Sequence, residues 1–240
     1  FGDNAKAFGD NSHAEGKDTI ASGRDSHAEG RATTATGSGA HAEGVSTQAI
    51  GAKAPHAEGN ATIASGSFSH AEGDTTIASG GFSHSEGRDT VASGEGSHAE
   101  GDGAKASGFT SHAEGFYTQA YGDYSHAEGS NTESIGNNSH AEGKGAIASG
   151  DFSHAEGHEN IASGIASHVE GGINKNGAPD PTSATTFSSH AEGSGTLASG
   201  YVSHAEGGNT IASGEQSHAE GSNTIASGST SHAEGGNTIA

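Results

Sequence analysis

The 240 residues contain no cysteine, no tryptophan and no methionine, only three prolines, and nine Lys and Arg against thirty Asp and Glu. Without cysteine the redox compartment is left open, and a closed zinc site has no thiolates to use. With so little proline, and with glycine not falling at every third position, a collagen helix is excluded. The formal charge of −21 argues against nucleic acid or an anionic membrane as partner. That figure counts all 17 histidines as neutral, so histidine protonation sets the charge of this chain. Hydrophobic residues supply only 29%, and no apolar run approaches the length of a membrane span. Nothing resembles a signal peptide. So little bulky apolar surface excludes an ordinary globule and, on composition alone, suits a disordered chain.

Disorder does not explain what is present. The pentapeptide Ser12-His13-Ala14-Glu15-Gly16 occurs, with small changes, sixteen times, the last at Ser231–Gly235. Between copies lies a second pentapeptide, typified by Thr19-Ile20-Ala21-Ser22-Gly23, with two linking residues on either side. The unit is fourteen residues, S-H-A-E-G-x-x-T-I-A-S-G-x-x, and a fixed short period along a whole chain means a repeat architecture. A coiled coil fails, because Gly and Ala at the repeating sites give no knobs. The chain opens and closes in mid-repeat, as expected of a segment of something longer.

Read as strands, each half-unit sends Ser, Ala and Gly, or Thr, Ala and Gly, to one side. These small residues suit the inside of a narrow coil of two short strands and two tight corners, with Gly relieving the backbone at each strand end. Sixteen such coils at about 4.8 Å each predict a rod of roughly 75–80 Å, a single repeat domain over 1–240. Its interior has no room for Leu-sized groups. Stability is expected from the backbone ladder and from whatever the outer faces bury.

One outer face carries Ile and Ser, the other His and Glu. On the first, Ile20, Ile63, Ile77, Val91, Ile147, Ile161, Leu197, Ile211 and Ile225 each precede a Ser two residues on. Where that seat turns polar, the second usually turns bulky: Lys6 with Phe8, Gln48 with Ile50, Gln119 with Tyr121, Glu133 with Ile135. Lys105 with Ser107, Thr34 with Thr36 and Ser183 with Thr185 break the rule. A retained apolar stripe predicts a self-association face. Two irregularities interrupt the period. One extra residue enters at Ala52-Lys53-Ala54-Pro55, expected as a corner bulge. About eight enter within 172–181, predicting a loop that carries Asn174, Lys175, Asn176, Pro179 and Pro181, since proline cannot donate to a ladder. Corner positions hold most aromatics, and Phe68 and Phe82 are placed to stack.

His fills its column in all sixteen repeats, and so does Glu. The candidate ladder includes His13 and Glu15, His27 and Glu29, His41 and Glu43, and His70 and Glu72. Stacked glutamates repel, and a histidine two residues away on the same face relieves this by hydrogen bonding or protonation. Three readings follow: a His–Glu hydrogen-bond network, a row of divalent-metal ligands suited to Zn²⁺ or Ni²⁺, and a recognition surface. A divalent metal is the one cofactor the pattern admits. His158 lies outside the column. Apolarity selects the Ile face as the inner face of an assembly, with Lys105 as its difficulty; invariance selects the His and Glu face. No unique nucleophile stands beside a unique base and no phosphate loop opens a helix, so no enzyme is expected.

The doubled S-x-A-x-G-x-x pattern resembles the head repeat of YadA-like trimeric autotransporter adhesins (the Hep/Hag repeat), over essentially the whole chain apart from the insertion. Similar SHAEG-rich repeats also resemble segments of phage tail fibres. The resemblance implies a left-handed parallel β-roll of about sixteen coils, three chains side by side as a homotrimer. It further implies an extracellular position and an adhesive or structural role toward a host surface protein or glycan. The alternatives are a tail-fibre shaft and a metal- or pH-responsive scaffold. The family repeat typically has Val and Ile where this chain has His and Glu.

Overall fold

The computed structural model describes residues 2–173, 176–177 and 180–240. It divides into two compact units, Phe1–Tyr117 and Thr118–Ala240. Both are all-β, and no helix occurs among the described residues. In the first unit, eight long strands from His13–Lys17 to His112–Phe116 alternate with eight short ones from Lys6–Ala7 to Lys105–Ala106. The second repeats this, with long strands from His126–Ser130 to His232–Gly236 and short ones from Gln119–Ala120 to Ile225–Ala226. Within each unit the long strands make one parallel sheet and the short strands another. The register is one repeat: His27 pairs with His13 and His41, Glu72 with Glu86, Ile63 with Ile77, His204 with His218. The chain is a parallel β-solenoid of sixteen coils, and like residues form files.

Side-chain alternation decides what lies between the sheets. Ser26, Ala28, Thr33 and Ala35 are all 2% exposed or less, and the same four seats are buried in coil after coil. The layer is thin because its members are small. Val169 is its largest fully buried side chain. Where Ser replaces Ala, a neighbouring hydroxyl supplies the partner: Ser85 Oγ lies 2.8 Å from Thr90 Oγ1 and Ser134 Oγ 2.6 Å from Ser139 Oγ. Thr33 and Thr47 bury Oγ1 without a partner. Ala104 and Ala146 can therefore take that seat without stranding anything.

The strands differ from the two equal pentapeptides the pattern predicts. The long strand starts at His and runs one residue past Gly, whereas the short one keeps only its Ile-Ala pair, as in Ile20–Ala21. The cause is a shared acceptor. The Ala35 carbonyl takes the Ser22 N–H at 2.9 Å and also the Gly23 N–H at 3.3 Å, which turns the chain and ends the ladder. The corner then closes on serine, whose N–H and hydroxyl both reach back to glycine: Ser97 N donates to Gly94 O at 3.2 Å and Ser97 Oγ at 2.7 Å.

Glycine was expected to relieve every strand end. Only the glycine after Glu does so through its dihedral, as at Gly101 with φ +110°. The glycine closing the short strand is needed for space, since a Cβ on Gly94 would stand 1.9 Å from the Gly108 carbonyl oxygen. The left-handed residue at each corner is instead the second linker. Asp18 and Asp25 have φ of 56° and 55°, and Phe68, Phe82 and Val202 adopt the same conformation. Asn and Asp are cheap there and bulky residues are not.

Both irregularities sit in corners. Between Gly51 and Pro55 one extra residue is held by a bridge from Lys53 to Ser38, and buried Pro55 fills the serine seat while its carbonyl accepts the His41 N–H. The larger insertion leaves at Gly172 and returns at Asp180, whose N–H donates to the Gly172 carbonyl at 2.8 Å. Asn160, wholly buried in a seat that is usually Thr, accepts the Thr182 N–H on Oδ1 at 3.0 Å and restarts the stack in register. Ser183 pairs with Ile161 and Leu197. Of the predicted loop residues, Asn176 and Pro181 are exposed; Asn174, Lys175 and Pro179 lie outside the described residues.

Candidate functional site

The two sheets present opposite outer faces, and each gathers one of the columns expected from sequence. On the short-strand face, Ile63, Ile77 and Val91 stand in consecutive register, as do Ile147 and Ile161, and Leu197, Ile211 and Ile225. Ile20 faces Thr34 instead. Most of these side chains are half-buried, with like residues in register above and below them. Ile50 and Ile135, in the second seat, are 40% and 42% exposed. The stripe is present, with polar breaks at Gln48 and Lys105.

On the long-strand face, the imidazoles form a stack. Ring centroids lie 4.6 Å apart between His56 and His70, then 4.8 Å from His70 to His84 and from His84 to His98. In the second unit His190, His204 and His218 continue at 4.7 and 4.8 Å. These spacings are those of neighbouring strands, so the backbone ladder itself sets the ring stack. In most coils Nε2 lies within 4.0 Å of the glutamate two residues on, as in His13, His27, His41 and His70. The separation is 3.5 Å from His13 to Glu15 and 3.4 Å from His27 to Glu29. It is 3.8 Å both from His41 to Glu43 and from His70 to Glu72.

About a third of each inner His side chain meets solvent, yet the Nε2 atoms of His27, His41, His56, His70, His84 and His98 are buried and make no hydrogen bond. The hydrogen-bond network expected from sequence is therefore not made at these nitrogens. Glu29 does not bond His27, Glu43 does not bond His41, and Glu72 does not bond His70. At His41 and His70 the 3.8 Å separation is too long for a hydrogen bond, and at His27 the geometry is out of line for an N–H to bridge. Glu29 stacks in register between Glu15 and Glu43. Glu43 instead turns half into solvent, its side chain 50% exposed against 35% for Glu29.

Stacking has an electrostatic consequence. His56, His70, His98, His140, His154 and His190 are held below the ordinary imidazole value, first by burial and then by the neighbouring imidazoles, with glutamates pulling back. At these six positions burial and stacking favour the neutral imidazole. Glu142 is pushed up, by burial and then by its hydrogen bond to Glu128. The pairs of His56 with Glu58, His84 with Glu86 and His98 with Glu100 belong to the same ladder as the pairs singled out from sequence. The repeated S-H-x-E-G motif was the signal for them as well.

A parallel β-solenoid with a uniform small-residue layer and two repeating faces defines a structural repeat protein. The sequence profile of the YadA head domain repeat matches residues 14–40, 57–83, 85–109, 127–153, 205–231 and 219–240. Those segments cover more than half of the chain, which therefore belongs to the YadA head repeat family, a structural adhesin domain and not an enzyme family. No curated protein matches the sequence. Among the described residues no helix is long and apolar enough to cross a membrane.

Proposed function

We propose that this chain is a non-catalytic segment of an extracellular surface adhesin, working as a homotrimer packed through the Ile face. The observation that carries the reading is the apolar stripe of Ile63, Ile77, Val91, Ile147, Leu197, Ile211 and Ile225, half-buried in one chain, in a family of adhesin heads known to form trimers. Burying the remaining area of such residues stabilises association by about 25 cal/mol per Å². The corner aromatics vary from coil to coil, and such variable exposed positions, with the insertion at 172–181, supply contacts to a host protein or glycan. Sedimentation equilibrium tests the reading directly. The mass expected is three times 23.4 kDa, and a 23.4 kDa species at all concentrations would remove it.

A further inference from the structure

We propose that the His and Glu face is a row of divalent transition-metal sites, each made by two imidazoles from successive coils and the carboxylate between them. His56, Glu58 and His70 form one such group, His70, Glu72 and His84 the next, and His84, Glu86 and His98 a third, with all ligand atoms of a group within 4.8 Å of one another. Two ligands of a tetrahedral ion, each at roughly 2.0–2.2 Å, lie about 3.4 Å apart. The Nε2 to Oε2 separations are 3.3 Å from His56 to Glu58 and 3.5 Å from His84 to Glu86. The second imidazole approaches by a ring tilt the ladder already tolerates, 21° between His41 and His56 and 18° between His56 and His70.

An independent observation points to a ligand. The Nε2 atoms of His56, His70, His84 and His98 are buried without any hydrogen-bond partner, and a buried polar atom left unpaired is costly. A metal ion placed between imidazole and carboxylate satisfies both. Two nitrogens and one carboxylate oxygen, with water completing the shell, suit Zn²⁺, Co²⁺ or Ni²⁺ in preference to Ca²⁺ or Mg²⁺. The formal charge of −21 favours a cation. One nitrogen lone pair binds one ion, so groups that share His70 or His84 cannot both fill. Filling therefore alternates: an ion on His56, Glu58 and His70, then one on His84, Glu86 and His98. These sites lie on the face opposite the Ile stripe, so the inference stands apart from trimer formation.

The experiment uses the full 240-residue chain without an affinity tag, stripped with chelator and dialysed against Co²⁺ at about pH 7.5, above the ordinary imidazole range. Visible d–d bands of nitrogen- and oxygen-bound Co²⁺, bleached by Zn²⁺, are expected, together with a rise in melting temperature that chelator reverses. The triple variant Glu58→Gln, Glu72→Gln, Glu86→Gln keeps side-chain size and removes the anionic ligand. It should bind about two fewer ions per chain. Circular dichroism confirms that the variant keeps its β-structure, and Lys105→Gln on the other face serves as a control that should leave the count unchanged. Absence of Co²⁺ bands in the parent chain, or an unchanged count in the folded triple variant, overturns the proposal. Neither result depends on the solution mass.

Discussion

The two outer faces ride on the same fourteen-residue coil, yet one is constant and the other drifts. On the long-strand face His and Glu never change, while the short-strand face moves its bulky residue between seats and sometimes loses it. The geometry explains the difference. A ladder imidazole such as His84 touches rings on both sides, at 4.8 Å each, so one replacement opens two gaps. An Ile side chain stands half in solvent, and Ile50 or Ile135 can supply the lost apolar area from two residues away. Constancy thus follows coupling between coils, and drift follows its weakness.

The largest test of that contrast is in the backbone beneath. Gly101→Ala, on the long strand, combines a φ of +110° with a Cβ placed 2.3 Å from the Gly115 carbonyl oxygen. It should cost upward of about 3 kcal/mol in urea unfolding. Gly94→Ala, closing a short strand, meets the Gly108 oxygen at 1.9 Å but needs no unusual φ. Thr186 occupies the equivalent seat, its hydroxyl donating to the Gly200 carbonyl, so the corner can yield there. Gly94→Ala should cost clearly less than Gly101→Ala. Equal losses would mean that the two sheets differ only in their side chains.

Association separates the faces next. Ile77→Glu places a charge in the run Ile63, Ile77, Val91 and should cost about 2 kcal/mol per copy, with the sedimenting mass falling toward that of one chain. Glu72→Gln on the opposite face should leave the mass unchanged. The reverse outcome would put the His and Glu face at the centre of the assembly.

A pH series in chelator isolates the ladder. In the folded chain His56, His70, His98, His140, His154 and His190 lie below the ordinary 6.5, and the groups facing them are the stacked imidazoles and their glutamates. As pH falls below about 6.5, the unfolded chain takes up protons that the folded one refuses. Stability is therefore full above that value and is lost as pH falls toward the folded values. A melting temperature that declines between about pH 7.5 and about pH 5 is expected, and a flat profile would contradict the burial of the ladder. Glu142, shifted upward, acts with the opposite sign and at lower pH, near the ordinary carboxylate range.

Period, interior seats and both outer columns were legible from sequence because each depends only on side-chain size and alternation, as Ala28 and Thr33 inside and His27 outside illustrate. Three features were not. The short strand's early end arises from one carbonyl, that of Ala35, serving two N–H groups, which no residue type announces. The unbonded Nε2 atoms, including those beside Glu29 and Glu43, depend on ring orientation, which spacing leaves open. The left-handed corners were hidden because Phe68, Thr75, Tyr124 and Val202 occupy a conformation whose usual residues are Asn, Asp and Gly.

That last mismatch yields the smallest and cleanest test, because it concerns a corner that belongs to neither face. Val202 holds φ +53° with a β-branched side chain that is 44% exposed. The penalty for an L-residue there is about 1–2 kcal/mol, and it falls for Asn, whose short polar side chain bonds locally. The backbone requirement is unchanged by the substitution, since the Val202 N–H donates to the Phe187 carbonyl at 3.0 Å and asparagine keeps that donor. Val202→Asn should therefore stabilise the chain by about 0.5–1 kcal/mol in urea unfolding, offset in part by the apolar contact given up. Asn209, at the next corner of the same chain, already has φ +54° and should lose a similar amount when changed to Val. If the two substitutions move stability in the same direction, side-chain contacts rather than dihedral preference govern the corners.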